Sequence, residues 1–174
     1  MKHIALFLLL CLLCMPALAQ EAQLVPPLTP VVPGEQQAPA QAALYCGPTQ
    51  GFYRPGEDVL DTGEPFVCFG HYDCWAMVAQ GTQDSFGPVG WVEAAAIDGL
   101  DSAPLLGFEE ALTAMVEEDT FLTDDPLAAE PRRLCSVARG TQVLLLAQMG
   151  DWLYVQGEID GVPVRAFVPA HAVL

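Results

Sequence analysis

Short apolar runs rich in β-branched and aromatic residues recur from residue 44 onward, and turn residues separate them. In the second half of the chain, residues 142–146 form such a run, 149–151 form a turn, and 152–155 form the return strand. The pair Asp160-Gly161 is a strong hairpin signal, and a further strand over 164–168 follows it. This spacing predicts an all-β chain of short strands.

The same order of landmarks occurs twice in the chain, 77 residues apart. Moving residues 44–78 along by that interval places Gly63 on Gly140 and Trp75 on Trp152 without a gap. Such an internal repeat indicates two related small domains rather than one large domain. Four or five strands in roughly 55 residues predict a small closed or nearly closed barrel for each domain, because closure removes exposed edges.

Two other segments complete the predicted organisation. Residues 20–43 are rich in Pro, Ala and Gln and have no periodicity, which predicts a flexible tether, because Pro-rich chains sample extended, solvated conformations. Residues 99–120 form the linker between the domains. Apolar residues at helical spacing between Pro104 and Glu118 predict a short helix in that linker. The two predicted domains are 44–98 and 121–174.

The N-terminus has the three parts of a cleavable export signal. Lys2 supplies the positive charge, residues 4–13 form a short apolar run, and residues 17–19 (Ala-Leu-Ala) form a cleavage site. Residues 1–19 therefore predict a signal peptide, and we expect a mature chain in the periplasm or outside the cell that begins near Gln20. The apolar run is shorter than the roughly 20 residues of a membrane helix, so no transmembrane span is predicted.

Export also changes the charge of the chain. Because Lys2 leaves with the signal peptide, the mature chain has five arginines and no lysine against 22 acids, a net charge of −17 with His neutral. Such a chain repels phosphate backbones, which proteins bind with clusters of Lys and Arg. It also avoids anionic membrane surfaces. We therefore expect no nucleic-acid partner.

The mature chain keeps four cysteines: Cys46, Cys68, Cys74 and Cys135. An even number in an exported chain predicts disulfides, and three pairings are open. Cys68 and Cys74 stand across a predicted hairpin, which can bring Cα atoms into disulfide range, so this pair is favoured and Cys46–Cys135 follows by elimination. No metal site is expected, because the spacing of Cys68 and Cys74 is not that of a zinc site.

The segment Tyr72-Asp73-Cys74-Trp75 faintly resembles the nucleophile region of papain-like cell-wall cysteine peptidases. A catalytic cysteine needs a nearby histidine that lowers its pKa and accepts its proton, and in that family it opens a helix. His71 is too close along the chain for this role, and His171 lies at the C-terminus. We therefore expect no enzymatic activity and no cofactor, and keep a peptidase that uses Cys74 as the alternative.

Residues 138–155 (ARGTQVLLLAQMGDWLYV) and 166–169 (AFVP) together resemble the bacterial SH3-like domain. That family pairs a G-T-x-V strand entry with a G-x-W-x-x-V hairpin and a closing G-W/F-V. Residues 90–92 (GWV) carry the closing motif in the first half. The resemblance covers 44–98 and 121–174, and it implies two tandem small SH3-like β-barrels joined by a linker.

The resemblance implies a binding module without catalytic residues. Such domains occur in exported bacterial proteins, so the expected partner is a peptide, a peptidoglycan stem or a periplasmic protein. A purely structural role in the cell envelope is a further alternative. Aromatic residues are denser in the first domain, and proline-rich ligands dock in aromatic-lined grooves. The candidate ligand-binding residues are Tyr45, Phe52, Tyr53, Trp75 and Trp91.

Overall fold

The computed structural model describes residues 25–30, 36–82, 85–97, 100, 103–108 and 111–173. The predicted signal peptide lies outside these residues. The first half contains β1 (Gln36–Gln37), β2 (Ala42–Ala43), β3 (Val59–Leu60), β4 (Pro65–Tyr72), β5 (Trp75–Thr82), β6 (Ser85–Glu93) and a 3₁₀ turn (Ala94–Ala96). The second half contains β7 (Leu112–Met115), β8 (Thr120–Leu122), β9 (Cys135–Val137), β10 (Gln142–Met149), β11 (Trp152–Ile159), β12 (Val162–Pro169) and a 3₁₀ turn (Ala170–Ala172).

These strands confirm the all-β prediction, and they form two open four-stranded sheets with antiparallel pairing. The first sheet has the order β1-β4-β5-β6, and the second has the order β12-β11-β10-β7. Two short ribbons, β2–β3 and β8–β9, accompany the sheets. Among the residues described, no helix is long and apolar enough to cross a membrane.

The sheets repeat one another at the interval seen in the sequence. The three long strands of the first sheet start 77 residues before their counterparts in the second. Both first strands carry a register shift at the same place, after Cys68 in β4 and after Leu145 in β10. Each following turn has a left-handed residue, Asp73 with φ 52° and Gly150 with φ 58°. The sequence repeat is therefore also a repeat of backbone geometry.

Three hydrophobic clusters stack with the sheets between them. One face of the first sheet contributes Phe66, Cys68 and Val78 to its own cluster, and one face of the second sheet contributes Leu153 and Val155 to another. The remaining faces meet each other through Phe69, Trp75, Met77, Trp91, Leu146, Tyr154 and Phe167. Because both faces of each sheet are covered, the central strands are continuous apolar runs.

Short arms cross between the halves in both directions. Residues 26–28, which precede the first sheet, lie parallel to β10: the Leu28 N–H donates to Gln148 O at 2.7 Å, and the Gln148 N–H donates to Pro26 O at 2.9 Å. Residues 104–106, which precede the second sheet, lie in the same way on β4. There the Leu106 N–H donates to His71 O at 2.7 Å, and the His71 N–H donates to Pro104 O at 2.9 Å.

A second pair of reciprocal contacts joins the outer strands. The Val89 N–H in β6 donates to Asp124 O in the second half, and the Arg165 N–H in β12 donates to Cys46 O in the first half, each at 2.7 Å. In the arms and in the outer strands alike, each contact from the first half to the second is matched by an equivalent contact from the second half to the first. This reciprocity is the property of a twofold, isologous interface, here formed within one chain.

The described part of the predicted tether is ordered, which corrects the prediction of a flexible segment over 20–43. Val25 and Leu28 are only 5% and 4% exposed, and Gln36–Gln37 and Ala42–Ala43 are paired strands. Proline is tolerated in the arm because Pro26 only accepts and the one required N–H comes from Leu28.

The helix predicted between Pro104 and Glu118 is also wrong. Leu112–Met115 is instead an edge strand that pairs with β10 from Gln142 to Leu145. Leu112 and Met115 are about half exposed, so their spacing does not mark an apolar helix face.

Candidate functional site

The structure places the five predicted ligand-binding aromatic residues in two different environments. Trp75 and Trp91 are buried between the sheets, whereas Tyr45, Phe52 and Tyr53 are half-buried on the loop that precedes β3. Tyr45 packs edge-on against Trp75, with ring centroids 5.5 Å apart, and its backbone pairs with Trp91. Two of the five predicted residues are therefore part of the core, and these tryptophans cannot present their faces to a ligand.

Trp91 is additionally fixed by a hydrogen bond across the two halves. Its indole N–H donates to the Tyr154 hydroxyl at 2.8 Å, and both side chains are fully buried. Burial raises the pKa of Tyr154, so this hydroxyl stays protonated. A buried, satisfied indole at the centre of the molecule stabilises the contact between the sheets and is not a binding group.

The residue that gathers this aromatic cluster is Arg165 of β12. Its guanidinium carbon lies 5.4 Å from the Phe52 ring centroid, 6.0 Å from that of Trp91 and 5.2 Å from that of Phe108. These rings come from the first domain and from the linker, so residues of three predicted segments meet around one cation. Attraction between a guanidinium and ring faces accounts for this arrangement.

The guanidinium of Arg165 is incompletely satisfied. Its Nε–H donates to Gln156 Oε1 at 2.9 Å, but Nη1 is buried and has no hydrogen-bond partner. No carboxylate in the described part of the chain forms an ion pair with it. Burial lowers the pKa of Arg165, and the hydroxyls of Tyr154 and Tyr72 oppose this shift. A buried N–H without an acceptor costs roughly 1–3 kcal/mol, more when it is charged, so a carboxylate bound here would remove a cost.

The two crossing points are the reciprocal contacts in which Arg165 donates to Cys46 O and Val89 donates to Asp124 O. The charge distribution differs at the second of them, where Arg132 lies between two acids. Its Nε–H donates to Asp124 Oδ1 at 3.1 Å, and its Nη2 contacts carboxylate oxygens of both Asp124 and Asp58. Asp124 is only 3% exposed, and burial raises its pKa although the hydrogen bonds from Arg132 offset part of the shift. This cluster joins the two halves electrostatically, and its cation is already paired with two carboxylates.

The second half also carries an open groove of about 630 Å³ beside the β8–β9 ribbon. Arg133 stacks over Phe121 at 4.5 Å in this groove, and His171, which lies in the closing 3₁₀ turn, pairs with Glu118 at 3.1 Å. Arg133 and His171 already have partners, so the groove has a weaker chemical case than the surroundings of Arg165.

All four predicted disulfide cysteines are free thiols in the structure. The structure does not bring the favoured Cys68–Cys74 pair together: Cys68 faces Val78 in the hairpin, whereas Cys74 lies in the turn beyond the Tyr72–Trp75 pair. At about 3.3 Å per residue they are on the order of 10 Å apart along the hairpin, beyond disulfide range. Cys46 and Cys135 both pack in the cluster of the second half, and their pairing stays a prediction.

The surroundings of Cys74 also bear on the peptidase alternative. Cys74 is exposed, its Sγ lies 3.9 Å from Asp73 Oδ2, and the strand Trp75–Thr82 follows it where that family has a helix.

The other three cysteines lie in a different environment. Burial raises the pKa of Cys46, Cys68 and Cys135, which keeps these thiols protonated.

Sequence reasoning missed Arg165, Phe108 and the Asp124–Arg132–Asp58 cluster. One signal was present: the chain has only five arginines, and Arg165 stands inside an apolar strand where its repeat counterpart is Val89. Charge in a buried strand position indicates a special role more often than charge in a loop.

Comparison with known proteins identifies no relative: no protein-family model, no curated protein and no solved structure matches this chain.

Proposed function

We propose that this chain is an exported, non-enzymatic binding module that recognises the carboxylate of a peptide, either a peptidoglycan stem or a segment of a periplasmic protein. The observation that carries the proposal is the Arg165 guanidinium, which is surrounded by rings and has an unsatisfied N–H. A peptide carboxylate supplies the missing acceptor, and a charge-assisted bond of this kind is about twice as strong as a neutral one.

We further propose that each half is a variant of the SH3-like barrel. Each half has a short ribbon, a three-stranded meander and a closing 3₁₀ turn in the same order, which supports this assignment. The difference from two independent barrels is that the sheets are open and share a cluster between them. On this assignment the ligand lies at the junction of the two halves, because Phe52 and Arg165 come from different halves.

Access to Arg165 depends on Phe108. This half-buried ring lies 5.2 Å from the guanidinium and 6.0 Å from the Tyr154 ring, and it follows Gly107, which is exposed. A ligand must move the Phe108 ring to reach Nη1, and part of the binding free energy is spent on that rearrangement. The high negative charge of the chain repels acidic ligands at long range, so a ligand with one carboxylate and an apolar remainder fits best.

The test is binding of an alanine-proline peptide with a free C-terminal carboxylate, followed by quenching of Trp91 fluorescence, since Trp91 lies 6.0 Å from Arg165. We expect the carboxylate peptide to bind at least about tenfold more tightly than its C-terminal amide, since about 1.4 kcal/mol corresponds to tenfold. Phe108→Ala should tighten binding by opening the site. Arg165→Gln should abolish the preference for the carboxylate.

The matched control is Arg139→Gln, which removes the same charge from an exposed turn of the same half. It should leave the preference unchanged. Equal binding of the carboxylate and the amide to the unmodified protein would refute the proposal. If neither peptide binds any variant, the structural role in the envelope becomes the better interpretation.

A further inference from the structure

The two crossing arms share a sequence pattern as well as a geometry. Residues 25–28 read Val-Pro-Pro-Leu and residues 103–106 read Ala-Pro-Leu-Leu, so both have an apolar residue, Pro, any residue and Leu. Both lie parallel to the first long strand of the opposite half with the same two hydrogen bonds. The same short sequence pattern therefore binds in the same way to two sheets that have different side chains.

Burial shows which arm positions are recognised. The first residues, Val25 and Ala103, enter the hydrophobic cluster of the opposite half, and Leu28 enters the cluster between the sheets. The second and third residues point outward: Pro26 and Pro27 are exposed, and Leu105 is 65% exposed. Only the fourth residue donates an N–H, so proline at the second position costs no hydrogen bond and its restricted backbone lowers the entropy cost of binding.

The site on the second sheet is an edge position. β7 covers the edge of β10 only as far as the pair Leu112–Leu145, and within the described part of the chain the arm alone pairs with this edge at Gln148. The arm is held by two backbone hydrogen bonds and two buried side chains. A short segment held in this way belongs to the low-stability end of a structure, from which local opening occurs.

We infer that the β10 edge beside Gln148 is a binding site for an extended peptide with the pattern apolar-Pro-any-Leu, and that residues 25–28 are its displaceable resident. Recognition is by strand addition: backbone hydrogen bonds hold the peptide, and pockets for the first and fourth side chains select it. The site is separate from Arg165 and requires no carboxylate. It thus goes beyond the carboxylate site proposed above, and each can fail without the other.

The test uses the full mature chain with Leu28→Asp, which places a charge in the buried fourth position and expels the arm. Fluorescently labelled VPPLTP, the sequence of residues 25–30, is then titrated in trans. We expect it to bind this variant at least about tenfold more tightly than the unmodified protein. In the unmodified protein the arm occupies the groove, so only the fraction of molecules with an open groove can bind the peptide. APLLGF, the sequence of residues 103–108, should compete for the same groove.

Two controls make the result specific. Leu127→Asp places the same charge on an exposed leucine, and it should bind the peptide no better than the unmodified protein does. A scrambled peptide of the same composition should not compete. If Leu28→Asp fails to fold, Leu28→Ala, which weakens the arm without adding a charge, carries the same test.

A variant with native circular dichroism that binds neither peptide would overturn the inference, and so would equal binding of the scrambled peptide. A concentration-dependent dimer of the unmodified protein, abolished by Leu28→Asp, would support it, because a second copy would then supply the arm.

Discussion

The two halves have matching strands but different chemistry at the positions where they cross. At one crossing point, Asp124 is buried and paired with Arg132, which also contacts Asp58. At the other, the residue in the place of Asp124 is Cys46, a buried thiol, and Arg165 stands where the first half has Val89. The backbone contacts are the same, with a distance of 2.7 Å from the donor nitrogen to the acceptor oxygen in both. Backbone pairing therefore sets the symmetry, and side chains at equivalent positions set the separate roles.

The crossing arms differ in a second way. The arm 104–106 lies over Gly70, and a Cβ at that residue would stand 2.6 Å from Pro104 O and 2.7 Å from Leu106 Cγ. The equivalent residue on β10, beneath the arm 26–28, is Ala147. The groove on the first sheet therefore holds its arm more closely than the groove on the second sheet, which has room for a side chain. This difference is the reason to expect exchange at the second groove rather than the first.

The largest effect should come from removing the cation at the charged crossing point. Arg132→Gln leaves the buried Asp124 carboxylate without its partner, and leaving a buried charged group unsatisfied costs about 3 kcal/mol of unfolding free energy at neutral pH. Urea unfolding of the variant and the unmodified protein measures this loss. The loss should shrink at acidic pH, because burial raises the pKa of Asp124 and a protonated Asp124 no longer needs the partner.

The control is Arg54→Gln in the corresponding loop of the first half. Arg54 is exposed and contacts the Tyr45 ring and Asp58 O at the surface. We expect a change below about 0.5 kcal/mol, as for most surface substitutions. Equal losses in the two variants would mean that the halves do not differ in this way.

A smaller effect should follow from filling the tight groove. Gly70→Ala forces a Cβ into backbone and side-chain atoms of the arm at a φ of +149°, and such overpacking costs about 1–3 kcal/mol. The reciprocal change, Ala147→Gly, should cost only about 0.5–1 kcal/mol, mainly through backbone entropy. Hydrogen exchange at the Leu106 amide should rise in Gly70→Ala, and exchange at Leu28 should not. A uniform rise at both amides would contradict independent arms.

Much of the all-β fold could be predicted from local sequence, since hairpins at Asp160-Gly161 and the repeated Trp positions depend on neighbouring residues. The arms could not, because a strand containing Pro26 and Pro27 violates strand propensity and is explained only by a partner on the opposite half. The Leu112 and Met115 spacing fits a helix as well as an edge strand, and pairing with β10 decided between them. Arg165 and Phe108 meet only in three dimensions, so composition pointed to aromatic residues without identifying the cation they surround.

The smallest effect, on pH dependence, also belongs to one half alone. Asp125 follows Asp124, its Oδ1 is buried without a partner, and burial followed by the charge of Asp124 raises its pKa. A raised pKa means that the folded state holds a proton that the unfolded state has already lost, so stability falls as the pH rises above about 3.9, the ordinary value. Asp125→Asn should therefore stabilise the protein at pH 7 and flatten the pH dependence of its stability above about pH 3.9. The control Asp151→Asn removes an exposed charge and tests whether reduced overall repulsion is sufficient to stabilise the protein. The first half has Gly47 in the corresponding place, so it offers no group that titrates there.

The opposite outcome, a steeper pH profile in Asp125→Asn, would show that the attraction of Arg132 for the Asp125 charge outweighs the effect of burial. The two crossing points would then differ in packing rather than in charge.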